Sequence, residues 1–68
     1  MTLAEALSAE RDRQGLATNA LAARAGMSAG QATRVLTGAT ANPGFLTVLA
    51  LLAALGKDLK WLQRQLAG

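Results

Sequence analysis

Four glycines cut this 68-residue chain into short pieces, so it cannot be built from long elements. Gly15, Gly26, Gly38 and Gly56 each follow a stretch of good helix formers, the place where a helix closes in the left-handed region. Start signals answer these stops. Thr2-Leu3-Ala4-Glu5 and Ser28-Ala29-Gly30-Gln31 both read as capping boxes, a hydroxyl followed three residues later by an acid or amide. Asn42 can cap a fourth helix, with Pro43 in its first turn, and Asp58 can cap a fifth.

The spacing therefore predicts five short helices. The first starts near Leu3, stops at Gly15 and puts Leu3, Ala6 and Leu7 on one face. Leu16 begins a linker into a second helix over residues 18–25, whose inner stripe is Leu21, Ala22 and Ala25. The third runs over 29–37 with Ala32, Val35 and Leu36 inward. Residues 39–42 form a loop. The fourth helix covers 43–55. The fifth covers 58–66, with Leu59, Leu62 and Leu66 as its stripe. Composition agrees with a single all-α domain over 1–68. The chain is 51% hydrophobic, much of it Ala and Leu, with two valines and no isoleucine to favour strands. A core this small is marginally stable.

Several chemistries are excluded. Cysteine and histidine are absent, which removes disulfides, thiolates, the usual zinc sites and the usual general base. Ser8 and Ser28 lack a histidine partner, and the acids have no metal-ligand spacing. No catalytic residue, metal or cofactor is expected. The acidic N-terminus does not read as a signal peptide. The apolar run 45–55 is too short to span a bilayer and suits a buried helix. These features fit a cytoplasmic protein.

The charge is unevenly spread. Glu5, Glu10 and Asp12, three of the four acids, lie in the first twelve residues. From Arg13 onward six basic residues face one acid, Asp58, a net +5. Such a surface suits a polyanionic partner, although a solvated surface has the same look.

The decisive spacing surrounds Gly26. Leu21, Ala25, Met27, Ala32 and Val35 are apolar, and a tight turn at Gly26 lets the second and third helices cross steeply. Ala22, Ala25 and Ala32 are small enough for close crossing. The third helix is then held by its inner face, and its outer face is free to enter a DNA major groove. This is a helix-turn-helix over residues 18–37. Arg34 can donate two hydrogen bonds to guanine O6 and N7, or stand as a solvated charge. Gln31 can read adenine or serve its capping box. Thr33 can touch a thymine methyl or a phosphate. Thr18, Ser28, Thr37 and Thr40 are candidate phosphate donors.

The chain at this point resembles the Cro/C1-type (XRE-type) helix-turn-helix domain of phage repressors and small bacterial regulators. The resemblance runs from about Leu3 to Leu62. It rests on Leu21-Ala22, Ala25-Gly26-Met27-Ser28, Arg34-Val35, Gly38, Asn42-Pro43 and Ala54-Leu55-Gly56. It implies a five-helix, lambda-repressor-like fold. It implies that Thr18 touches phosphate, that Ala29 and Gly30 open the recognition helix where base-reading side chains stand, and that Thr33 and Arg34 follow on its next exposed turn. Thr37 sits where related domains often place a phosphate-binding Asn, and residues 38–42, Thr40 and Asn42 among them, would lie against the DNA backbone. Ala29 and Gly30 offer almost no hydrogen-bonding capacity. Gly30 suits either a close backbone approach to DNA or a reading face that leaves specificity to Arg34 and DNA shape. Leu36 stands in place of an acid often paired with the arginine at Arg11, which leaves Arg11 free to seek phosphate or another acid. Glu10 stands where a core apolar residue is usual.

The resemblance also implies a partner. Leu46, Ala50 and Ala53 occupy positions that are usually polar in related domains, and so does Trp61. Apolar residues on every side of the fourth helix imply burial on every side. Leu46, Ala50, Ala53, Trp61 and Leu62 are thus expected in a homodimer interface; Trp61 could instead cover the end of the fourth helix within one monomer. The expected function is a repressor of a phage or small bacterial operon, an autoregulator binding an inverted repeat as a dimer. With no visible second domain, no effector module is expected. The competing function is a protein-interaction module, such as an antitoxin or antirepressor, that keeps the scaffold with weak base reading.

Overall fold

The computed structural model describes residues 1–40 and 42–68. Five helices make up the described chain: α1 (Leu3–Gln14), α2 (Thr18–Ala25), α3 (Ala29–Leu36), α4 (Phe45–Ala54) and α5 (Leu59–Ala67). There is no strand among the described residues.

The glycine stops act through one geometry. At the end of α2, Gly26 takes φ 73°, its N–H reaches the Ala23 carbonyl, and the Met27 N–H reaches the Ala22 carbonyl at 3.0 Å. These paired bonds satisfy two carbonyls that the helix end would otherwise leave open. The same pair recurs after α1, from Gly15 and Leu16, and after α4, from Gly56 and Lys57. At the other ends, Thr2 and Glu5 form a complete capping box on α1, and Asp58 Oδ1 accepts from the Trp61 N–H on α5.

Two start signals act differently from expectation. α4 begins at Phe45, and its cap residue is Gly44, with no side-chain cap bond. Asn42 is therefore not the cap, and Pro43 is outside the helix. On α3, Ser28 Oγ accepts from the Gln31 N–H, but the Gln31 side chain goes to Thr47 Oγ1 at 3.5 Å, so the box is only half formed. α3 itself ends at Leu36, with Thr37 as its C-cap. Ala41, within the expected loop 39–42, lies outside the described residues.

The core is built from Ala6 and Leu7 of α1, Leu21 and Ala22 of α2, Ala32, Val35 and Leu36 of α3, Val48, Leu51 and Leu52 of α4, with Leu55 and Leu62. α2 packs on both α3 and α4, while α1 packs on both α3 and α5. Small side chains at Ala22 and Ala32, both buried, permit the close α2–α3 approach. The expected Ala25 and Met27 pack on the core's edge. Leu36 is buried, so the position that related domains give to an acid is here apolar packing; Ser8 Oγ donates to its carbonyl at 2.7 Å and ties α1 to the end of α3.

Glu10 is buried at 6% exposure. Its carboxylate accepts from the Arg13 guanidinium and from Gln14 Nε2 at 2.7 Å, and Lys57 Nζ lies 3.9 Å away. Gln14 also donates to the Leu55 carbonyl at 2.8 Å. A buried charge is tolerated when its lone pairs are satisfied in this way. The apolar core position is thus replaced by a polar clasp between α1 and the α4–α5 turn.

Candidate nucleic-acid interface

α3 divides into two faces. Ala32, Val35 and Leu36 are buried, while Ala29, Gly30, Thr33, Arg34 and Thr37 are exposed. Thr33 and Arg34 thus lie on the open side of a helix gripped from behind by α2 and α1. No ion pair engages Arg34 among the described residues, leaving its guanidinium available for a bidentate contact.

Gly30 is helical, and a Cβ built there would meet only Arg34 Nη1 at 3.9 Å. Nothing inside the fold requires glycine at this position. A side chain is absent where the outer face of the helix begins, so the backbone can come closer to whatever lies in front of it.

The candidate phosphate donors differ in what they have left to give. Thr18 Oγ1 accepts from Arg11 Nη1 at 2.9 Å, which leaves its own O–H free at the start of α2. Arg11 also pairs with Asp12, its Nη2 2.8 Å from Oδ1. Arg11 has therefore found another acid, as one of its two expected options, and orients Thr18 as well. Ser28 accepts from a backbone N–H and keeps its O–H. Thr37 is different: its hydroxyl donates to the Thr33 carbonyl at 2.8 Å, so its proton is already committed to its own helix.

Between α3 and the start of α4 lies a recess of about 200 Å³, with Gln31, Arg34, Thr40, Asn42 and Thr47 among its lining residues. It gathers four of the expected contact residues with Thr47, which sequence reasoning passed over. Thr47 became visible only once Gln31 turned away from its capping box. Phe45, the first residue of α4, is 63% exposed, although it reads simply as part of an apolar run.

The expected interface residues separate. Leu46 is 77% exposed and Ala53 is exposed, while Ala50 is half-buried. Leu62 is a core residue at 6% exposure, so its side chain is taken up within one copy; of the expected α5 stripe it alone is buried, while Leu59 and Leu66 are exposed. Trp61 is half-buried against the core, with Lys57 Nζ 5.6 Å from its ring centre. Among the described residues no cluster could hold a metal ion, and no helix is long and apolar enough to cross a membrane.

A family model described as a helix-turn-helix domain matches residues 2–60. No curated protein and no solved structure matches the chain.

Proposed function

The chain belongs to the helix-turn-helix domain family, within the XRE-like superfamily, and from that premise we propose that it is a sequence-specific transcriptional repressor. Family membership carries double-stranded DNA binding and a regulatory role. The finer reading is an autoregulator of a phage or small bacterial operon, acting in the bacterial cytoplasm. The observation that carries it is the division of α3: three residues buried behind, and Thr33 exposed in front with Arg34, which has no ion pair among the described residues.

In this reading α3 lies in the major groove. Arg34 takes guanine O6 and N7, and the backbone at Gly30 approaches the groove floor. Thr18 and Ser28 donate to phosphates from the starts of α2 and α3, and Gln31, Thr40 and Asn42 border the same strand. The exposed side chains of Leu46 and Ala53, with the half-buried Ala50 between them and Trp61 beside them, join two copies about a two-fold axis. Repression follows from occupancy of the promoter by this dimer.

Selection from a random DNA pool tests the proposal. The expected product is an inverted repeat whose half-sites carry a guanine lost on Arg34→Ala. Enrichment of no sequence at all would overturn sequence-specific repression.

A further inference from the structure

The Arg34 guanidinium does not stand in front of its own backbone. A Cβ built at Gly30 would meet Arg34 Nη1 at 3.9 Å, so the guanidinium lies one helical turn back, beside residue 30. We propose that Arg34 reads the base pair in front of Gly30, and that Gly30 is a specificity-determining residue because it leaves that place open. The inference rests on the DNA-binding reading above and adds to it which base pair of the half-site holds the guanine.

Helix geometry accounts for the placement. Side chains on a helix lean towards its N-terminus, and a long one covers the surface of the preceding turn. Residues 30 and 34 are i, i+4 neighbours on one ridge. At i−3 from Arg34 stands Gln31, whose amide has turned aside to Thr47 Oγ1 at 3.5 Å. At i−4 there is no side chain, and Ala29 beside it ends in a methyl group. Arg34 thus crosses a bare surface. A methyl at 30 meets the guanidinium only in ordinary van der Waals contact, whereas a longer side chain competes for the ridge on which it lies.

Chemistry gives the placement a use. The opening residues of a recognition helix are those that meet base edges. Ala29 and Gly30 are exposed at that end of α3, and neither has a side chain that forms hydrogen bonds. Arg34 brings donors there from the following turn. No ion pair holds its guanidinium among the described residues. The cation also leans towards the positive end of the helix dipole, where the helix itself gives it no stabilisation. Guanine O6 and N7 match its planar fork and supply the missing acceptors. The bare backbone at 30 and the guanidinium beside it face the groove together.

The test compares random-pool selection by the parent chain with that by variants at 30 and 34, one base pair of the half-site at a time. Both positions are exposed, and urea melts establish that each variant is folded. Arg34→Ala is expected to lower the guanine preference roughly tenfold or more. Gly30→Met is expected to lower it at the same base pair by a similar factor, and to change nothing further there in the Arg34→Ala background. Gly30→Gln is expected to replace guanine by adenine at that base pair. Gly30→Ala keeps the guanine, whatever becomes of total affinity. A guanine lost on Arg34→Ala but kept in Gly30→Met would overturn the proposal and leave the DNA-binding reading intact. So would a new preference in Gly30→Gln at a neighbouring base pair with the guanine still in place, since Arg34 then reads in front of its own backbone. Enrichment of no sequence by the parent chain would overturn that reading and this inference with it.

Discussion

At Gly30 stability and function pull in opposite directions. A glycine inside a helix costs about 0.5–1 kcal/mol relative to alanine, and here the neighbouring space would accept a methyl group. Gly30→Ala is expected to raise stability by about that amount, measured by urea denaturation. DNA affinity is expected to fall in the same variant, because the added methyl holds the helix away from the groove. A variant that is both more stable and equally tight in binding would show that backbone approach is not why glycine stands there. Arg34→Ala separates contact from scaffold. Its side chain is exposed, so the fold should be unchanged, while the preference for one guanine drops by about 1–3 kcal/mol in competition gel shifts. Glu10 supplies a third expectation. The Arg13 guanidinium beside it, helped by Gln14 and Lys57, holds its carboxyl down to about 2 from an ordinary 4.5. A depressed carboxyl stabilises the fold fully above its unfolded value, and that contribution is lost as pH falls from about 4.5 towards 2. Thermal midpoints should decline across that window. Glu10→Gln, which cannot titrate, should start lower at neutral pH and decline less steeply. Glu5, also lowered by its bond from the Thr2 backbone, accounts for part of the slope that remains.

Elements were legible where a signal acts over three or four neighbouring residues. Thr2 with Glu5, Ser28 with the Gln31 N–H, and the left-handed glycines 15, 26 and 56 need only their own helix, and their positions follow from spacing. The start of α4 lies two residues beyond the one that Asn42-Pro43 signals, because Gly44, extended at φ −60° and ψ 149°, takes the cap position instead. The Gln31 side chain was harder to place, because its partner Thr47 lies 16 residues away and becomes a neighbour only after α4 docks. Glu10 binds Arg13 and Gln14 within its own helix, but its third partner, Lys57, stands 47 residues away in the α4–α5 turn. Among candidate site residues, exposure on α3 was readable from period, but the commitment of the Thr37 proton to Thr33 was not. The turn between α2 and α3 is where a local change should have the largest effect. Gly26 sits at φ 73° with open space around it, so a methyl group meets no clash and any cost is conformational. Gly26→Ala is expected to lose about 1–2 kcal/mol of stability in denaturant melts. A neutral result would mean that the turn relaxes into another conformation.

At the scale of the molecule, size decides how many copies a site needs. The longest extent of the fold is 29 Å, less than the roughly 34–36 Å between successive major-groove faces on one side of DNA. One copy therefore presents α3 to one half-site only, and recognition of an inverted repeat needs two. Leu46 is the residue through which this can be examined without damage to the core, since 77% of it is exposed and it contributes little to burial within one copy. Leu46→Glu is expected to leave helix content and the melting of the monomer nearly unchanged. It places a charge against its symmetry mate, so sedimentation should show a monomer where the parent chain is a dimer. On DNA, the parent should prefer half-sites about 10–10.5 base pairs apart, and the variant should bind each half-site independently of spacing. Both should lose affinity with added salt, because phosphate contacts release counterions in either state, but the slope against log salt should roughly halve in the variant as one copy leaves. A spacing preference that persists in a monomeric Leu46→Glu protein would place the two-fold contact elsewhere than on α4.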